Sequence, residues 1–529
     1  TRKLPISARP DTFSYRASTF VRRHRAAVLA TALTLLALMA GIVTTWHLAR
    51  AADVARDRAE RRFNDVRSLA NTLLFDLHDA IRDLPGATPA RRLLVANARI
   101  YLDSLLRESA GDASLQAELA EAYLRVGEIE GDPHFPNLGD LDAATASYRE
   151  SVRLHTELAA IHPEDAGVRQ ALAVSLGRLA VVQSWGGANI DAIASSTRAL
   201  TILDSLSGIA PQNTTIRLDI GRIQSELGWW LIWAGRVAEG LAQLDLADEI
   251  LEDAVRRHPD HIGLGIDRWR AVSYRVDGLT WSDAKAEALE LLARDGCPLL
   301  ANLDRRFPNH PRILSSFKAC VYKLGNLYID FGQTEAGIDA LRRSLALAED
   351  LARSDSTNIQ GLRGIAIVHE ALGSVYRSLG ETDLALGHFQ EALTLKKTLF
   401  ALDPDHAEAG NTLANTQRSL CTFFYDAGQP ARALAYCQDA LERLRGTVAQ
   451  DPGNAIGRES LATTYVETAR VHAALSREVG AGDRARHHRD AAIQFYDRAL
   501  DEMGRLSSAE FSRSISPDSV AAERDTFVR

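Results

Sequence analysis

Two short triads in this chain consist of residues that carry out phosphoryl transfer where they stand in the right order. Asp330-Phe331-Gly332 opens on an aspartate of the kind that holds magnesium against nucleotide phosphates. His488-Arg489-Asp490 ends on one of the kind that positions the attacking hydroxyl. The chemistry needs more than these letters. An asparagine five residues after the second aspartate would hold a further metal ion, and that position is Phe495. The triads stand in the reverse of the working order, 158 residues apart, and no glycine-rich phosphate loop followed by Val-Ala-x-Lys occurs anywhere. His487, His488 and Asp490 are metal-binding types, but neighbouring residues on a helix point in different directions. The expectation is no catalytic residue, no metal and no cofactor.

What places the triads is a repeat. Pro163, Pro211, Pro259, Pro308, Pro404 and Pro452 are separated by 48, 48, 49, 96 and 48 residues, and the missing rung falls at Ser356. Small residues keep the same step at Ala144, Ala192, Gly240, Ala288, Gly337, Ala385 and Ala433. Two ladders in phase set a period of 48 residues and seven units. Within residues 369–406, apolar side chains recur at helical spacing on both sides of Gly380, which predicts a helix, a tight turn and a second helix. Gly373 and Ala385 let the two helices approach, Tyr376 and Phe389 fill the seam, and Pro404 stops the second helix. Gly373, Tyr376, Gly380, Ala385, Phe389 and Ala392 resemble the signature of the tetratricopeptide repeat, although that repeat usually has about 34 residues. The resemblance implies an all-α chain, a right-handed α-solenoid of seven to eight long-helix repeats. Gly332 aligns with Gly380, so Asp330-Phe331-Gly332 is a helix end with its turn glycine. His488-Arg489-Asp490 opens the last second helix. Both triads are by-products of the repeat.

Such solenoids expose the first helix of each unit along an inner groove, where extended peptides or partner helices bind. Counting from the aligned glycines, the groove-facing set is Trp229, Trp233, Tyr322, Asn326, Glu370, Arg377, Asn415, Arg418 and Tyr425. This mixture of amides, charges and aromatics suits a protein or peptide ligand. Trp230 should pack into the core, while Trp229 and Trp233, four apart, share the groove face. Cys421 faces Cys437 across one helix pair, and Cys297 and Cys320 are placed to meet as well. Cys421 and Cys437 are expected to pack as buried thiols, with a disulfide as the alternative in an oxidising compartment, and Cys297 and Cys320 could pair in the same way.

Apolar residues make up 46% and charged residues 25% of the 529, an ordinary folded mixture. The formal charge of −8 hides an asymmetry: residues 1–25 carry +6 and the remainder −14. An acidic folded part argues against a nucleic-acid partner. Ala26 to Trp46 is the one long uncharged stretch, and as a helix it would span about 31 Å. Arg22, Arg23 and Arg25 flank one edge, Trp46 and His47 the other. It reads as a membrane span, with a secretory signal ending near Ala49-Arg50-Ala51 as the competing reading. Basic residues within 20 positions of each end tie at five and five, so the lean toward an internal N-terminus rests on the arginine cluster.

Residues 4–25, the span and residues 59–105 resemble the region that follows the catalytic domain in a family of bacterial membrane-anchored serine/threonine protein kinases. The resemblance implies a single pass through the inner membrane, with a cytoplasmic kinase domain ahead of Thr1 and the repeats outside. A start on Thr rather than Met fits the C-terminal portion of a longer product. The expected division is a basic juxtamembrane linker (1–25), a transmembrane helix (26–46), an amphipathic helical cap or connector (47–110), the repeat array (111–504) and a disordered tail (505–529). The expected role is the sensing and protein-interaction region of a receptor-type kinase, with homodimerisation through the connector open to it. The alternatives are a stand-alone membrane-anchored scaffold, or cytoplasmic repeats that recruit substrates.

Overall fold

The computed structural model describes residues 13–71, 88–108, 111–134, 137–354, 359–402, 407–450, 455–506 and 516–528. The chain divides into two compact units, Thr1–Leu73 and Leu74–Arg529. In the first, α1 (Phe13–Arg23) leads through a bend at His24 into α2 (Arg25–Asn71). Within α2, Arg25–Ala55 is long and apolar enough to cross a membrane or to serve as a signal sequence. None of its most apolar window is buried by protein, and Leu29, Leu33, Leu36, Met39 and Ile42 all stand exposed. Thr31, Thr34, Thr44 and Thr45 each return their hydroxyl to the carbonyl four residues back, which hides polar groups from an apolar surrounding. The predicted continuation of this helix beyond residue 71 lies outside the described residues.

In the second unit α3 (Thr88–Glu108) packs on α4 (Ala113–Gly131), which pairs with α5 (Leu141–Ile161). The following pairs are α6 (Ala166–Trp185) with α7 (Asn189–Ile209), and α8 (Thr214–Trp233) with α9 (Val237–Arg257). Then come α10 (Ile262–Trp281) with α11 (Lys285–Leu291) and α12 (Cys297–Arg306), and α13 (Pro311–Asp330) with α14 (Thr334–Ser354). The last three are α15 (Ile359–Ser378) with α16 (Thr382–Leu402), α17 (Ala407–Asp426) with α18 (Pro430–Gln450), and α19 (Ala455–Glu478) with α20 (Asp483–Gly504). Eight stacked helix pairs and no strand are present among the described residues, the solenoid-like arrangement that the ladders predict.

The ladders have a local cause. Two residues after each proline of the first rungs stands the cap of the next helix. Asp165 accepts from Gly167 and Val168 N–H at 2.8 and 3.1 Å, Asn213 from Thr215 and Ile216, and His261 Nδ1 from Leu264 at 3.2 Å. Pro404 and Pro452 lie outside the described residues. Between the two helices of a pair the chain must turn through the left-handed region. Gly187, Gly235, Gly332, Gly380 and Gly428 do so at φ between 67° and 87°. Asp283 takes the same position at φ 65°, one of the few non-glycine types that tolerates it. The seam is as predicted: Ala385 and Phe389 are fully buried, Tyr376 nearly so, and a Cβ on Gly373 would meet the Phe389 ring at 2.9 Å.

Both ladders step by 49 instead of 48 where Pro259 leads to Pro308 and Ala288 to Gly337. The structure absorbs the extra residue in a single π-turn, Leu292–Gly296, between α11 and α12. Leu292 and Leu300 on either side remain fully buried, so the core register survives.

Two expectations are corrected. The cysteines are disulfides, Cys297–Cys320 between α12 and α13 and Cys421–Cys437 between α17 and α18. Close packing at these helix joints brings the Cα atoms to 5.7 and 5.3 Å, inside disulfide range. The expected disordered tail contains α21 (Pro517–Val528), which packs on α20. Its Val520 is fully buried, and Glu523 accepts from Arg470 Nε at 2.8 Å and from the Tyr496 hydroxyl at 3.1 Å. A short helix with three anchoring contacts escapes a search for apolar periodicity.

Candidate partner-binding groove

First helices touch first helices at most of the joints between repeats, whereas no two second helices make a comparable contact among the described residues. The first helices therefore form the closer-set wall of the stack. On that wall Trp229 and Trp233 of α8 meet Tyr274 and Trp281 of α10. Trp229 stacks on Tyr274 with centroids 4.7 Å apart, and Trp233 stands edge-on to Trp229 at 5.6 Å and to Trp281 at 5.2 Å. Trp233 and Trp281 keep 39% and 44% of their surface in solvent, and Trp185 on α6 keeps 49%. Trp230 is buried in the core, as predicted. Trp185 and Trp281 were missing from the sequence-derived set. Their signal was the period itself, since Trp185, Trp233 and Trp281 stand 48 residues apart.

Below the indoles lies a buried charged cluster. Glu226 accepts from the Tyr274 hydroxyl at 3.2 Å and sits 3.6 Å from Arg270. His134, carried on the α4–α5 loop, reaches over to within 3.3 Å of Glu226 and 3.5 Å of Asp132. Tyr148 donates to Asp132 at 2.8 Å, with Arg178 at 3.6 Å. Burial raises the Glu226 carboxyl to about 7 against the pull of Arg270, and burial with the nearby arginines keeps His134 neutral well below its ordinary range. This loop thus clamps the first repeat to the third and fourth.

The other predicted residues split away from the tryptophans. Glu370 is held by Lys396 and by the Ser419 hydroxyl at 3.1 Å, Arg418 donates to Glu467 at 3.0 Å, and Arg377 lies 3.5 Å from Asp426. Tyr322 is largely buried beside Asn326, and burial raises its hydroxyl. Asn415 Oδ1 is buried with no partner among the described residues, and Tyr425 lies half-buried against the core cluster that contains Phe424. The triads are engaged structurally. Asp330 accepts from Lys285 at 2.6 Å, and His488 Nδ1 lies 3.0 Å from His472 Nδ1 across the last pair.

Models of the tetratricopeptide repeat match residues 319–351 and 368–400. The fifth and sixth pairs are tetratricopeptide repeats. The matched segments end short of both helices' outer ends, so the extra turns of these repeats lie there. Among solved structures, the apo form of RapI is 10% identical, with a TM-score of 0.45 over 83% of this chain and 100% of its own. Aspartyl phosphate phosphatase F from Bacillus subtilis is 12% identical, with a TM-score of 0.45 over 80% and 95%. A tetratricopeptide repeat protein from Parabacteroides merdae is 13% identical, with a TM-score of 0.33 over 68% and 99%. No curated protein matches the chain.

Proposed function

We propose that this chain is the sensing and protein-interaction region of a receptor-type serine/threonine protein kinase. It is held in a membrane by Arg25–Ala55 and binds a polypeptide along the first helices of its repeats. The observation that carries the binding is the half-exposed cluster of Trp233 and Trp281, seated on Trp229 and Tyr274. Large indoles left in solvent at one register are the residue type that dominates polypeptide interfaces. The link to a kinase rests on the resemblance of residues 1–110. Placement of the repeats on an oxidising side is supported by the arginine cluster before the span and by the pairing of all four cysteines in disulfides.

The test is partner capture from native membrane extract by wild type and by Trp233→Ala with Trp281→Ala. Each indole contributes on the order of 2 kcal/mol at such interfaces, less in sum because the two touch. Recovery should fall at least about tenfold with circular dichroism and melting unchanged. Undiminished recovery by the folded double variant would overturn the reading.

A further inference from the structure

The aromatic side chains of α1 stand uncovered beside the point where the chain would enter a bilayer. Phe13, Ala17 and Phe20 follow the i, i+4, i+7 spacing of one helical face, and Val21 borders it. Phe13 keeps 91% and Phe20 61% of its surface in solvent. The Phe20 ring meets His24 at the bend, with centroids 5.0 Å apart. Arg22 and Arg23 close the same helix off that face, and Arg25 opens α2, all three exposed. No acidic residue stands between Asp11 and Asp53 to answer them.

The span fixes where this helix lies. From Arg25 to Trp46 the chain rises about 31 Å, one hydrocarbon core. Arg50 sits over the Trp46 ring at 4.6 Å, a cation and an indole of the kind that marks a membrane edge. The other edge then falls at Arg25, two residues after α1 ends. Phe20 is within about 8 Å of that boundary along the chain. A helix continued straight into water would lift Phe13 about 18 Å from it with its ring bare. The bend at His24 interrupts the helix at the boundary instead. Turned along the surface, α1 sets its aromatic face on the acyl chains and its arginines among the headgroups.

We infer that α1 is an interfacial helix that binds anionic lipid headgroups. Phe13, Ala17 and Phe20 enter the outer acyl region, while Arg22, Arg23 and Arg25 pair with phosphates whose charge no choline cancels. The inference rests on Arg25–Ala55 crossing the membrane, and it adds to that anchor a preference for acidic lipid. Each arginine near such a surface strengthens the attachment about fivefold.

All four native cysteines are held in disulfides, so Ala17→Cys supplies a single thiol for an environment-sensitive dye. The labelled full chain is placed in nanodiscs of phosphatidylcholine alone, or of equal parts phosphatidylcholine and phosphatidylglycerol. The readouts are dye emission and its quenching by a lipid spin-labelled near the headgroup. Acidic discs should give blue-shifted, strongly quenched emission, and neutral discs little of either. Arg22→Gln with Arg23→Gln should shift the docking equilibrium in acidic discs at least about tenfold toward the free helix. Raised salt should act on wild type in the same direction. Phe13→Ser with Phe20→Ser should abolish docking. Equal quenching in the two lipids, or an acidic preference that survives the arginine variant, overturns the headgroup site. A dye unquenched in both lipids, on a chain that co-migrates with the discs, overturns the interfacial helix and leaves the span standing. A chain that does not co-migrate overturns both.

Discussion

The third and fourth repeats and the sixth and seventh are built on the same helix pair, yet their first helices present different surfaces. In the former, Trp233 and Trp281 stand half in solvent above the buried Glu226–His134 cluster. In the latter, the corresponding wall closes on itself: Arg377 lies against Asp426, Arg418 against Glu467, and Glu370 between Lys396 and Ser419. A repeat of about one period's separation makes both outcomes available. A residue on one first helix meets its counterpart on the next, so complementary charges consume each other and aromatic pairs do not. The difference teaches that a polar groove residue read from sequence is as apt to be a brace between repeats as a contact for a partner.

Arg418 gives the comparison its largest test. Arg418→Ala leaves Glu467 buried without its guanidinium, and breaking such a pair costs roughly 3 kcal/mol. Urea denaturation should show that loss while partner recovery stays within about twofold. A folded, fully stable variant with lost affinity would return Arg418 to the groove.

Much of this was legible in the sequence. The proline and small-residue ladders gave the helix pairs, because a cap and a close approach must recur in every unit. Gly332, Gly380 and Gly428 gave the turns because only a few residue types take positive φ. The braces were not legible, since pairing of Arg377 with Asp426 depends on the pitch between repeats rather than on either helix. The disulfides needed the same information. Trp281 was legible in principle through its step from Trp233, and counting from glycines one unit at a time missed it.

A smaller effect sharpens the aromatic half. Glu226 rises from about 4.5 to about 7 on folding, chiefly through burial. The folded state then binds this proton more tightly than the unfolded state, so the group's contribution is most favourable at low pH and declines as pH rises from about 4.5 to about 7. Glu226→Gln should therefore melt higher than wild type at about pH 8, and the advantage should vanish by about pH 5. An advantage independent of pH would remove Glu226 from this account.

The smallest expected change is at Arg377. Its pair with Asp426 is half exposed, and such pairs contribute less than about 1 kcal/mol. Arg377→Ala should leave both the urea midpoint and partner recovery nearly unchanged. A large loss of recovery would extend the binding surface into the self-paired half.

The most direct measurement of the central claim is hydrogen exchange across the array, with and without its captured partner. The account predicts new protection on Thr214–Trp233 and Ile262–Trp281, with the second helices unaffected. Protection confined to Ala407–Asp426 and Ala455–Glu478, or to the second helices alone, would contradict it.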